Sequence, residues 1–107
     1  MLTKTAEAEL FYRHALESAR ENAAKAARLV RESETLWAIA CDKLNRFELA
    51  EALDPEGLEE AEKAEAKAFE AMTEAEEASL AADRVADQCE EAYEAARRFY
   101  AALQAFK

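Results

Sequence analysis

Leu53-Asp54-Pro55-Glu56-Gly57-Leu58 is the stretch from which the rest of the chain can be read. It holds the one Pro and the one Gly in 107 residues, and these two residue types are the strongest punctuators of local structure. Asp54 is a strong N-cap, and Pro55 suits the first helical position, where a missing N–H costs nothing. Glu56 then places negative charge at the positive end of a helix dipole. Leu53 before the cap and Leu58 at the fourth helical position have the spacing of a hydrophobic staple. A chain turn at 54–57 is therefore expected, with a helix starting at 55.

On either side run about fifty residues dominated by Ala, Glu, Leu, Lys and Arg, the strongest helix formers. Ala fills 28 positions and Glu 20, and no strand-like alternation appears. Helices are expected at about 4–53 and 55–106, with Thr3 or Thr5 capping the first. At 1.5 Å per residue each would be roughly 75 Å long. The rival arrangement is a chain broken near Ser33 and Thr73 into four shorter helices.

A heptad count favours the long helices. With a at 2, 9, 16 and onward and d at 5, 12, 19 and onward, the first helix presents Tyr12, Leu16, Ala19, Val30, Trp37, Leu44 and Phe47 on one seam. The second presents Leu58, Ala61, Met72, Cys89, Tyr93 and Tyr100. Among the a and d positions from 9 to 47 and from 58 to 103, only Glu9 and Glu65 put charge on the seam, so the repeat is that of a coiled coil. Folding the chain back at 54–57 sets Trp37 against Ala75 and Ala71, and Leu44 against Ala68. It also puts Ser33 against Ser79 and Tyr12 near Phe99. Large facing small is what close packing requires.

A second apolar set stands beside the seam: Phe11, Leu29, Leu36, Ile39 and Leu53, then Phe69, Leu80, Val85, Phe99 and Phe106. One hairpin cannot cover a stripe this wide, and monomers rarely expose it. The expected fold is all-α: one domain over 1–107, a long antiparallel hairpin of coiled-coil type assembling into a four-helix or larger bundle. The expected partner is a second copy, joined through Phe11, Leu36, Ile39, Phe69 and Phe99. Aromatic residues gather at the open end (Phe11, Tyr12, Tyr93, Phe99, Tyr100, Phe106) and towards the turn (Trp37, Phe47, Phe69). They fill layers where the helices diverge or, alternatively, mark a partner site.

The net charge is -10, from 24 acidic and 14 basic residues. Residues 1–53 hold 9 acidic and 8 basic groups, net -1, while 54–107 hold 15 and 6, net -9. The excess lies between Asp54 and Glu77. This acidic face, 54–77, is read first as a solvated helix face and second as a dock for a basic protein partner. An acidic chain gains no counterion release on nucleic acid, so nucleic-acid partners are not expected. No apolar run approaches the ~20 residues of a membrane span, and the start MLTKTAEAEL lacks the apolar region of a signal peptide.

Residues able to carry chemistry are few. His14 is the only histidine, and Phe11 stands where a Glu-x-x-His metal motif needs Glu. Glu9 and Glu65 lie far apart in sequence, at seam layers expected to be frayed or partly open. Cys41 and Cys89 fall about 28 Å out of register at 1.5 Å per residue, too far for a disulfide. They read as small buried hydrophobes in a reducing compartment. A single Gly leaves no phosphate loop, and there is no concave site for catalysis. The expectation is no catalytic residue, no cofactor and no metal.

Asp54-Pro55-Glu56-Gly57 as the sole break, followed by Leu-Glu-Glu-Ala-Glu-Lys-Ala, resembles computationally designed helical bundles. So do the acid–base pairs at i,i+4: Glu9–Arg13, Glu21–Lys25, Asp42–Arg46, Glu59–Lys63 and Glu94–Arg98. The resemblance is one of style over the whole chain, and the two Cys, Trp37, His14, Asn22 and Asn45 depart from it. It implies a structural homo-oligomer without catalytic activity. The alternative is a natural acidic interaction module, such as a secretion chaperone, an immunity protein or a phage-encoded inhibitor. Either is expected in the cytoplasm.

Overall fold

A computed structural model of the chain describes residues 4–49 and 54–106, with the backbone alone at Lys4 and Thr5. It contains two α-helices, α1 Lys4–Leu49 and α2 Pro55–Ala105, packed against each other as a hairpin. Neither helix breaks at Ser33 or Thr73, which sets aside the four-helix chain. Thr35 and Thr73 donate their hydroxyls to the carbonyls of Arg31 and Phe69, each at 3.0 Å. These i to i-4 bonds satisfy the side chain without interrupting the helix.

The start of α2 follows its capping chemistry. The Gly57 N–H donates to Asp54 Oδ1 at 3.0 Å, and the Leu58 N–H donates to the Asp54 carbonyl at 3.1 Å. Asp54 is thus the N-cap, and Pro55 the first helical residue. α2 therefore starts at 55 as expected, and of the turn expected at 54–57, Glu56 and Gly57 belong to the first turn of the helix. Backbone conformation does not call for glycine at 57, since its φ is not positive; the space around it does oppose a side chain. A Cβ there would press into the Asp54 carboxylate and stand 2.6 Å from Phe47 Cε1. The end of α1 expected at 53, the Leu53–Leu58 staple and the Thr3 cap lie outside the described residues, as does the side chain of Thr5. At its far end α2 stops at Ala105, one residue short of expectation, with the Phe106 N–H bonded to the Leu103 carbonyl at 3.2 Å.

The seam expected from the heptads is the one the helices bury. From Glu9 to Phe47 every seam position is buried or half-buried except Tyr12, which is 37% exposed. From Leu58 to Tyr100 the same holds without exception. The deeply buried apolar residues among those described are Leu16, Ala19, Ala61 and Met72. This is a thin core, because an Ala-rich seam brings the helices close but buries little apolar area per layer.

The register across the seam differs from expectation near the turn. Trp37 donates its indole N–H to Glu65 Oε1 at 2.9 Å, and its ring lies 5.7 Å from that of Phe69. Ala71, expected opposite Trp37, is exposed. The partners of Trp37 therefore sit nearer the turn than Ala71 and Ala75, by about one heptad.

The described residues form two compact units. Those within Met1–Lys25 and Leu80–Lys107 make one, and those within Ala26–Ser79 the other. Each helix contributes a segment to each unit.

Candidate functional site

Labelling every position by its heptad letter separates the two flanks that border the seam. In an antiparallel pair, e positions face e positions and g positions face g positions across the seam. The first unit shows both flanks. Arg20 and Glu90, both at e, pair at 3.7 Å. On the other flank Ala8, Ala92 and Phe99, all at g, line one hollow of about 330 Å³ together with Tyr12, Ala95 and Ala96. Tyr12 and Phe99 thus meet as expected.

The g flank of this unit is a second heptad row. In α2 it runs Val85, Gln88, Ala92, Ala95, Phe99, Ala102, alternating steps of three and four residues. In α1 it runs Ala8, Phe11, Ala15, Ser18, Asn22 at the same alternation. None of these eleven side chains is charged, in a chain where 38 of 107 residues are Asp, Glu, Lys or Arg. Phe11 is 67% exposed and Phe99 61%. The signal was present in the sequence as the g and c positions of the same count, but selecting large residues alone hid the small ones between them.

In the second unit the equivalent row is interrupted. Leu29, Leu36 and Ile39 are exposed there, with Glu32 and Lys43 between or beside them. On α2 the matching positions include Glu60, Lys67 and Glu74. Phe69 stands at an e position, on the opposite flank, with its ring tilted 56° against Trp37. The five residues expected to form one partner surface are accordingly divided. Phe11 and Phe99 share a charge-free flank in one unit, Leu36 and Ile39 lie on a charged flank in the other, and Phe69 packs on Trp37.

His14 is exposed, with Nδ1 3.8 Å from Glu17. Arg97 lies over the Tyr93 ring at 5.8 Å from its centroid. Glu65 occupies no open layer; it is half-buried and accepts the Trp37 bond. Cys41 and Cys89 are free, half-buried, and belong to different units. No group of three or more His, Cys, Asp or Glu placed to hold a metal ion occurs among the described residues. No helix among them is long and apolar enough to cross a membrane.

On the acidic segment 54–77, the described acidic residues other than Glu65 are exposed. Of the helix-surface pairs expected, Asp42–Arg46 closes at 3.0 Å and Glu59–Lys63 at 3.3 Å. Arg13 pairs with Glu17 at 3.9 Å rather than with Glu9, and Arg98 donates to the Glu94 carbonyl instead of its carboxylate. No protein-family model matches the chain, and neither a curated protein nor a solved structure shows significant similarity to it.

Proposed function

We propose that this protein is a structural, self-assembling helical hairpin, a homo-oligomer whose copies pack into a four-helix or larger bundle and which carries no catalytic chemistry of its own. The observation that supports it is the exposure of Phe11 and Phe99 beside a seam that deeply buries only four apolar side chains among the described residues. Ordering a chain costs about 1–2 kcal/mol per residue in backbone entropy. Each large side chain brought out of water returns about 1.5–3 kcal/mol, so covering the exposed row supplies what the thin core lacks. The likeness to designed bundles belongs to this reading, as do the two surface pairs that close as that style implies.

The experiment is size-exclusion chromatography with light scattering at micromolar concentration, together with circular dichroism. A single mass that is a multiple of 11.9 kDa is expected. A monomer of full helicity would sink the proposal.

A second reading rests on the exposed carboxylates of 54–77 and makes the protein an acidic interaction module for a basic partner. Capture of one specific basic protein by the wild type, lost when Glu70, Glu74 and Glu77 are changed to Gln, would favour it over self-assembly.

A further inference from the structure

We infer that two copies join through the g flank of the unit formed by residues 8–22 and 81–106, in a two-fold contact that seats Phe11 and Phe99 of each copy against the alanine-lined hollow of the other. This rests on the proposed self-assembly and adds to it the face, the symmetry and the knobs.

The row itself specifies a helix as its occupant. Steps of three and four keep side chains in line along a helix that supercoils with a neighbour, so Val85, Gln88, Ala92, Ala95, Phe99 and Ala102 form a seam in their own right. α2 thus carries two seams, one occupied by α1 and one facing outward.

A second copy is the helix that fits, for three reasons. A two-fold interface needs a patch complementary to itself, and this patch has both halves. The hollow of about 330 Å³ is walled by Ala8, Ala92 and Ala95 and rimmed by Phe99, with Phe11 exposed on the same flank. Charge points the same way. Copies of a chain at net -10 repel one another, while this flank carries no charge and the e flank carries Arg20 and Glu90. Area points the same way. From Val85 to Ala102 the row spans ~26 Å at 1.5 Å per residue. Two helices 8–10 Å apart present a face roughly 15–20 Å wide. The product is on the order of 400–500 Å² per copy, about 800–1,000 Å² in total, the size of a small, reversible interface.

The test places one charge on each flank and reads mass and helicity over a dilution series. Wild type is expected at twice 11.9 kDa. Phe99→Glu and Phe11→Glu should each weaken the dimer at least tenfold while keeping the helical signal, because both side chains are already largely exposed in the single chain. Leu36→Glu, on the interrupted flank of the other unit, should leave the mass unchanged. Should Phe99→Glu lose helicity, Ala95→Cys in a Cys41→Ser, Cys89→Ala background replaces it, and oxidation is expected to cross-link two chains. A wild-type monomer would overturn both this inference and the proposed self-assembly. A wild-type oligomer unmoved by Phe99→Glu and Phe11→Glu but dissociated by Leu36→Glu would overturn this face alone. A mass of three chains would overturn the two-fold symmetry.

Discussion

The indole N–H of Trp37 and the carboxylate of Glu65, 2.9 Å apart, join two seam positions on opposite helices. Glu65 is the one acidic side chain of 54–77 among those described that turns from water into the seam. Its carboxylate satisfies the indole donor of the half-buried Trp37. Replacing Glu65 by Ala removes the acceptor and is expected to destabilise the hairpin by about 1–3 kcal/mol. Glu65→Gln keeps an acceptor oxygen and should lose less. Urea unfolding at fixed protein concentration separates the two, and equal midpoints for both variants and wild type would show that the bond does not matter in solution.

The same bond fixes which alanines lie near the tryptophan. Trp37 is half-buried, so Trp37→Ala is expected at the low end of large-to-small costs, about 3 kcal/mol. With the pairing displaced towards the turn, Ala68 rather than Ala75 shares the layer of Trp37. Ala68→Leu should therefore overpack it, at a cost of about 1–3 kcal/mol, and should shift the tryptophan fluorescence. If Ala75→Leu moves that fluorescence and Ala68→Leu does not, the expected pairing holds and the displaced one fails.

Gly57 offers a case where helix propensity and packing oppose each other. Propensity alone makes Gly→Ala in a helix stabilising by about 0.5–1 kcal/mol. The space around Gly57, bounded by Phe47 Cε1 and the Asp54 carboxylate, predicts the opposite sign for Gly57→Ala, a loss of about 1–3 kcal/mol. Asp54→Ala, which removes the N-cap, should cost about 1 kcal/mol. Thermal unfolding reads both signs directly, and a raised midpoint for Gly57→Ala would mean that the Phe47 ring gives way.

Among the described residues, Arg20 and Glu90 make the ion pair that crosses between the helices, at 3.7 Å, with both side chains about half exposed or more. Pairs of this kind contribute little, because water screens them and two long side chains must be ordered. A double-mutant cycle of Arg20→Ala and Glu90→Ala is expected to give a coupling of about 0.5 kcal/mol or less, falling further at high salt. A coupling above 2 kcal/mol would mark the pair as far better shielded than its exposure indicates.

Local chemistry and periodicity determined the helices, the N-cap at Asp54 with Pro55 behind it, and the side of each helix that is buried. These depend on interactions within a turn or two of chain, so residue order alone is enough. The second, uncharged row of Ala8, Phe11, Val85, Ala92 and Phe99 was legible by the same count. Tertiary structure decided the register between the helices. A seam that repeats every seven residues accepts a slip of one heptad with nearly the same apolar pattern, and many alanines make the alternatives nearly equal in volume. Only unlike residues break the tie. Trp37 seated against Glu65 and Phe69, and Phe47 against a glycine with no Cβ, break it here, and those contacts exist only once both helices are in place.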